Sequence, residues 1–197
     1  SRCISSLGLR ELAREAALNP NTFYRHFRNM DDLGLQLLRE GNDRLRGPLR
    51  ALRRQAAQQS IADNTTDSTQ EAALRGRRVA QQTVKLYFDY VLEHRDSVVI
   101  AGRELHGPSE LLRAELREQM NGFAEDMAAD IQELGLAPSS ISAARINQIA
   151  ALLSRNLFHL SLDFIAEPER RDNILELAHE QIIMLFAGAS VLQDKAG

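Results

Sequence analysis

The chain has 197 residues, 44% of them hydrophobic, with seven Phe, three Tyr, no Trp and a single cysteine, Cys3. That length allows one or two domains with a real core, and the lone thiol excludes an intramolecular disulfide. No uninterrupted run of about 18 apolar residues occurs and no basic stretch with an apolar core opens the chain, so a cytoplasmic protein with no membrane partner is expected.

The net charge of −3 conceals an asymmetry. Residues 1–55 carry eleven Arg against six acids, a balance of +5, and the remainder is −8. A basic end on an acidic body suits a protein whose one end meets a polyanion.

Helical periodicity dominates, so an all-α fold is expected. A short helix is predicted over residues 9–16, with Gly8 at the N-cap and Glu11 in the capping-box position. Ala17 and Leu18 leave only a tight turn. Asn19 followed by Pro20 then marks a second short helix ending near Phe27. A third starts near Asn29, has Asp31 and Asp32 in its first turn, and should bend at Gly47-Pro48. The polar stretch SIADNTTDST, residues 60–69, reads as a loop. Longer helices are predicted at 73–94, 109–134, 142–166 and 169–192, with a short piece near 97–104. Residues 1–46 are assigned to one domain and 47–197 to another.

The segment LNPNTFYRHF, residues 18–27, holds the most informative pattern. A helix of about eight residues does not persist alone in water, so packing must hold it, and Phe23 and Phe27 at i and i+4 supply one apolar face. The other face sets Asn21 one turn from Arg25 and Thr22 one turn from His26. Asn and Arg can pair with purine edges in the major groove, whereas Thr, Tyr and His suit phosphate oxygens. Two short helices joined by a tight turn, the second so decorated, read as a helix-turn-helix whose polyanion is double-stranded DNA.

The segment LGLRELAREAALNPNTFYRHFRNMDDLGLQLL, residues 7–38, resembles the DNA-binding signature of the TetR family of bacterial transcriptional regulators. The resemblance implies base contacts by Arg10, Asn21 and Arg25 and phosphate contacts by Thr22, Tyr24 and His26. Ala17 stands where the family usually has Gly, a substitution that is strained if the backbone is left-handed there. Met30 stands where many members place a phosphate-binding Lys. The helix that precedes this signature in the family is expected to lie before Ser1.

A narrower resemblance, carried by LGLQLLREGNDRLR and by GRELHGPSELLRAELREQMNGF (residues 102–123), is to the branch of the family that represses unsaturated-fatty-acid synthesis and desaturation genes and senses long-chain acyl-CoA or acyl-carrier thioesters. It implies a small apolar ligand of the acyl-CoA or acyl-thioester kind, with Arg103, Arg113 and Arg117 able to meet its phosphates. Tyr87, Phe88, Val91, Leu112, Leu116, Met120, Phe123 and Phe158 are the expected apolar lining, on helices that are able to surround a channel.

The last two predicted helices, INQIAALLSRNLFHLSLDFI and ILELAHEQIIMLFAGASVL, are apolar on more than one side. Packing against the same pair from a second subunit would cover them, giving the two-fold homodimer that a palindromic operator requires. His159 and His179 read as core or interface residues. No metal-ligand spacing, phosphate-binding Gly-rich loop or nucleophile context occurs, so neither an enzyme nor a cofactor is expected. The competing functions are a regulator of drug efflux or of another metabolite pathway with the same architecture, and a helical protein-interaction module.

Overall fold

The computed structural model describes residues 3–4, 7–62 and 69–194, and every extended regular element among them is an α-helix. In chain order these are α1 (Leu9–Glu15), α2 (Pro20–His26), α3 (Met30–Ala62), α4 (Thr69–Glu93), α5 (Arg95–Glu104), α6 (Glu110–Glu133), α7 (Ala143–Ala166) and α8 (Arg171–Asp194), with a 3₁₀ turn Pro168–Arg170 before the last. The all-α expectation holds, and the breaks after α5, α6 and α7 fall at Gly107-Pro108, at Gly135 and at Pro168. The polar stretch 60–69 differs: residues 60–62 end α3 and Thr69 opens α4, while 63–68 lie outside the described residues. That stretch contains no Gly or Pro to stop a helix. Nor does Pro48 interrupt α3, although its missing N–H removes the helical donor for the Arg44 carbonyl.

The chain forms two compact units, the first built from Ser1–Arg44 and His94–Gln119, the second from Leu45–Glu93 and Met120–Gly197. This division assigns residues 94–119 to the N-terminal part, unlike a single cut near residue 46. In the first unit Ala13, Phe23, Leu38 and Leu116 are buried, and Leu112 is fully enclosed. Gly34 lets α3 approach it: a Cβ there would lie 2.9 Å from both Leu112 methyl carbons. Asn29 accepts from the Asp32 amide at 2.8 Å while Asp32 accepts from the Arg28 amide at 3.0 Å, a reciprocal cap that starts α3.

The second unit packs Ala57, Val79, Ala128, Ile149, Ala150 and Leu153 into one apolar cluster. Phe88 and Phe164 add a ring pair with centroids 4.5 Å apart. Both α7 and the segment Pro168–Leu192 have the length and apolarity of a membrane span, which a search for unbroken apolar runs does not reveal. For α7 the packing explains it, since Ile146, Ile149, Leu153, Leu160 and Phe164 all face protein.

Long arginines join α3 to α6 within this unit. Arg46 binds Asp126 through two nitrogens, Arg50 reaches Asp126 at 3.3 Å and Asp130 at 3.4 Å, Arg53 reaches Asp130 at 2.7 Å, and Arg54 reaches Glu133 at 3.4 Å. Residue numbers rise together along both helices, so α3 and α6 run parallel here. The hydrogen bond from Arg46, aided by the charges of Arg50 and Arg53 and opposed by burial, holds the Asp126 carboxyl below its ordinary range. A carboxyl with a depressed folded-state pKa stabilises fully above its unfolded value, about 3.9, and loses that contribution as pH falls through the folded value. Asp126→Asn should therefore cost about 1–2 kcal/mol at pH 7, a modest figure because Arg46 is partly solvated. In urea titrations the difference from wild type should shrink below about pH 4.

Candidate nucleic-acid interface and ligand cavity

The helix-turn-helix is closed by backbone hydrogen bonds at the end of α1. The Ala17 amide donates to the Arg14 carbonyl at 3.0 Å and the Leu18 amide to the Ala13 carbonyl at 2.8 Å, the paired bonds of a Schellman turn. That turn requires a left-handed residue, and Ala17 takes the role with φ 53°. Asn19 then caps α2 by accepting from the Asn21 amide at 2.9 Å, and Pro20 occupies the first turn. Because the cap and the proline both act locally, they start α2 without tertiary help.

One face of α2 is anchored. Phe23 is buried and its ring lies 5.0 Å from that of Phe27. The opposite face looks outward: Asn21, Tyr24, Arg25 and His26 are exposed, Tyr24 to 60%, and Thr22 is half-buried. Arg10 on α1 is exposed as well. Amide, phenol, guanidinium and imidazole groups thus share a short helix whose back is fixed in protein. This is the arrangement by which a recognition helix presents donors to a duplex.

A helix-turn-helix with a buried back and a cationic front defines the first unit as a DNA-binding domain. Residues 2–37 match the family described as bacterial regulatory proteins, tetR family. The match spans the sequence that carries α1, α2 and the start of α3, the same segment that forms the helix-turn-helix.

The residues expected from the sequence to meet a ligand are divided between the two units and differ in exposure. In the first unit Leu112 and Leu116 are buried in packed core and Arg103 is exposed. In the second unit Phe88 and Val91 are fully enclosed, and Tyr87, Met120, Phe123 and Phe158 are partly buried. The Tyr87 hydroxyl donates to the Leu157 carbonyl at 3.4 Å, and burial pushes its pKa up to about 12. Apolar spacing along a helix marks a face turned inward; it does not separate solid core from cavity wall. The motif at residues 102–109 is likewise structural. Buried Glu104 accepts from the Ile4 amide, Gly107 packs against Glu104, and the Ser109 hydroxyl accepts from the Leu112 amide at 3.4 Å. Arg113 donates to the Gly107 carbonyl, while Arg117 is exposed.

A cavity of about 360 Å³ does open in the second unit, bounded by α4, α6, α7 and α8 and by Arg53 of α3. Val79, Val84, Ile131, Leu153, Ile182 and Phe186 make its wall largely apolar. Gly76 also lines it, and the fit is tight: a Cβ there would sit 2.1 Å from the Leu136 carbonyl oxygen. His179, expected in core or interface, is half-buried on this wall, whereas His159 is exposed on α7. The chain pattern held a signal for the cavity in small Ala73, Gly76 and Ala80 on α4, beside larger residues from three other helices.

Ala17 supplies the sharpest local test. A left-handed non-glycine residue costs about 1–2 kcal/mol, offset by about 0.5–1 kcal/mol for the greater chain entropy of glycine when unfolded. Ala17→Gly should raise stability by about 0.5–1 kcal/mol, measured by thermal or urea unfolding, with operator binding unchanged.

Proposed function

We propose that the protein is a transcriptional repressor that binds a palindromic operator as a homodimer and is controlled by a small apolar ligand. The outward strip of Asn21, Tyr24, Arg25 and His26 on an anchored helix carries the DNA reading. Asn21, Arg25 and Arg10 contact bases, and Thr22, Tyr24 and His26 contact phosphates. Such a regulator works where the chromosome is, in the cytoplasm.

The dimer reading rests on the apolar side chains that α7 and α8 leave uncovered. Leu152 is 54% exposed, Met184 59% and Val191 56%. Leu177, Met184, Gly188 and Val191 recur at helical spacing on α8, and a Cβ at Gly188 would meet nothing within 4 Å. The same patch on a second copy covers this stripe under two-fold symmetry.

For the ligand, the cavity of the second unit supports the reading of a small apolar molecule. It has room for roughly 12–18 non-hydrogen atoms at about 20–30 Å³ each. An acyl chain fits that space, and a coenzyme A head does not. In the acyl-thioester reading, with fatty-acid synthesis or desaturation genes as targets, the chain enters and the head group stays outside. A compact drug or another metabolite is the alternative, separated by mass spectrometry of the molecule that copurifies. The route to DNA runs through α3, which carries Arg53 on the cavity wall and continues through Pro48 to the first unit.

Two experiments bear on these readings. Arg25→Ala should weaken operator binding by about 1–3 kcal/mol and relax base preference at one position, measured by gel shift across a library of operator variants. A uniform loss across all sequences makes Arg25 a phosphate contact instead. Met184→Glu places a charge in the proposed dimer seam and should yield a folded monomer by sedimentation, with operator affinity reduced at least tenfold; an unchanged dimer overturns the interface.

A further inference from the structure

We infer that the cavity of the second unit selects a neutral molecule: an apolar body bearing one uncharged oxygen function that pairs with Nε2 of His179. This deepens the ligand-controlled reading by naming the ligand class. It follows from an account of the polar groups on the wall.

The Thr83 hydroxyl donates to the Val79 carbonyl at 2.7 Å, and the Ser190 hydroxyl donates to the Phe186 carbonyl at 3.2 Å, so both donors are spent within their own helices. Arg53 is buried, and its guanidinium is engaged by Asp130 through Nε at 2.8 Å and Nη2 at 2.7 Å. Arg77 and Gln81 are solvent-exposed. His179 differs from all of these. Its Nε2 is buried and has no hydrogen-bond partner among the described residues, while the residue itself lines the cavity.

Buried polar atoms are nearly always paired, and an orphan on the wall of an apolar cavity points to a group supplied from outside the chain. An imidazole nitrogen pairs with a hydroxyl in either tautomer, and with a carbonyl when it carries the proton. Because Arg53 is already paired with Asp130, no unpaired cation stands on the buried wall among the described residues, and Arg77 lies at its exposed part. A carboxylate seated deep in the cavity would lose its hydration and meet only a guanidinium already engaged by Asp130. Neutral oxygen is therefore favoured over an anion.

The test uses the full chain without DNA, so its failure leaves the operator reading intact, and failure of the operator reading leaves this one intact. The probes are 1-octanol, 1-fluorooctane and octanoate, three chains of the same length, measured by calorimetry and thermal shift. Wild type should bind 1-octanol at least about tenfold more tightly than 1-fluorooctane, with octanoate weaker than the alcohol. His179→Leu should remove most of the alcohol's advantage and leave 1-fluorooctane within about twofold. Ala80→Leu, which fills the cavity, should abolish binding of both. Equal binding of alcohol and fluoride by wild type, which needs no variant, overturns the proposal. So does an undiminished alcohol affinity in a folded His179→Leu protein, persistence of binding in Ala80→Leu, or a preference for octanoate.

Discussion

Asp130 is fully enclosed, and the second unit is arranged to make that tolerable. A carboxylate removed from water pays a desolvation cost of several kcal/mol, which is repaid only when donors surround it. Arg53 does so at close range, Arg50 and Arg54 stand at 3.4 and 3.8 Å, and Asp126 one turn earlier takes up Arg46 and Arg50. The donors all come from α3 and the acceptors from α6. Sliding either helix by one turn would part Asp130 from the close contact with Arg53, so the ladder favours the register observed.

The same ladder places the chemistry of the cavity. Arg53 stands on its wall with the guanidinium already committed, which makes the wall electrically quiet and leaves His179 as the group that can discriminate among ligands. A ligand that displaces the Arg53 side chain also disturbs the Asp130 pair, and the disturbance acts on α3. That helix extends to Met30, directly after α2, and holds Pro48 in its middle. The carbonyl that Pro48 leaves without a helical donor belongs to Arg44, where the first unit ends.

The helix-turn-helix was legible because its determinants lie within a few residues of one another. Asn19 caps α2, Pro20 starts it, and Phe23 and Phe27 share a face by helical geometry alone, so the outward position of Asn21, Arg25 and His26 follows from spacing. Ala17 could be flagged as strained if left-handed, yet only the coordinates supply its φ of 53°. The cavity was not legible in this way. Phe88, Val91, Leu112 and Leu116 have the spacing of an inward face and are all buried, because periodicity reports which way a side chain points and says nothing of what it meets.

By itself, then, the order of residues determined most of the helices, the cap of α2 and the exposed strip on it, all of which depend on neighbours at most four positions away. The tertiary structure decided which apolar faces close into core and which leave space, that Arg53 meets Asp130 across 77 residues of chain, and that His179 keeps a buried nitrogen unpaired. Those outcomes depend on how separate helices are set side by side, a property of packed volumes and charge partners that no local pattern encodes.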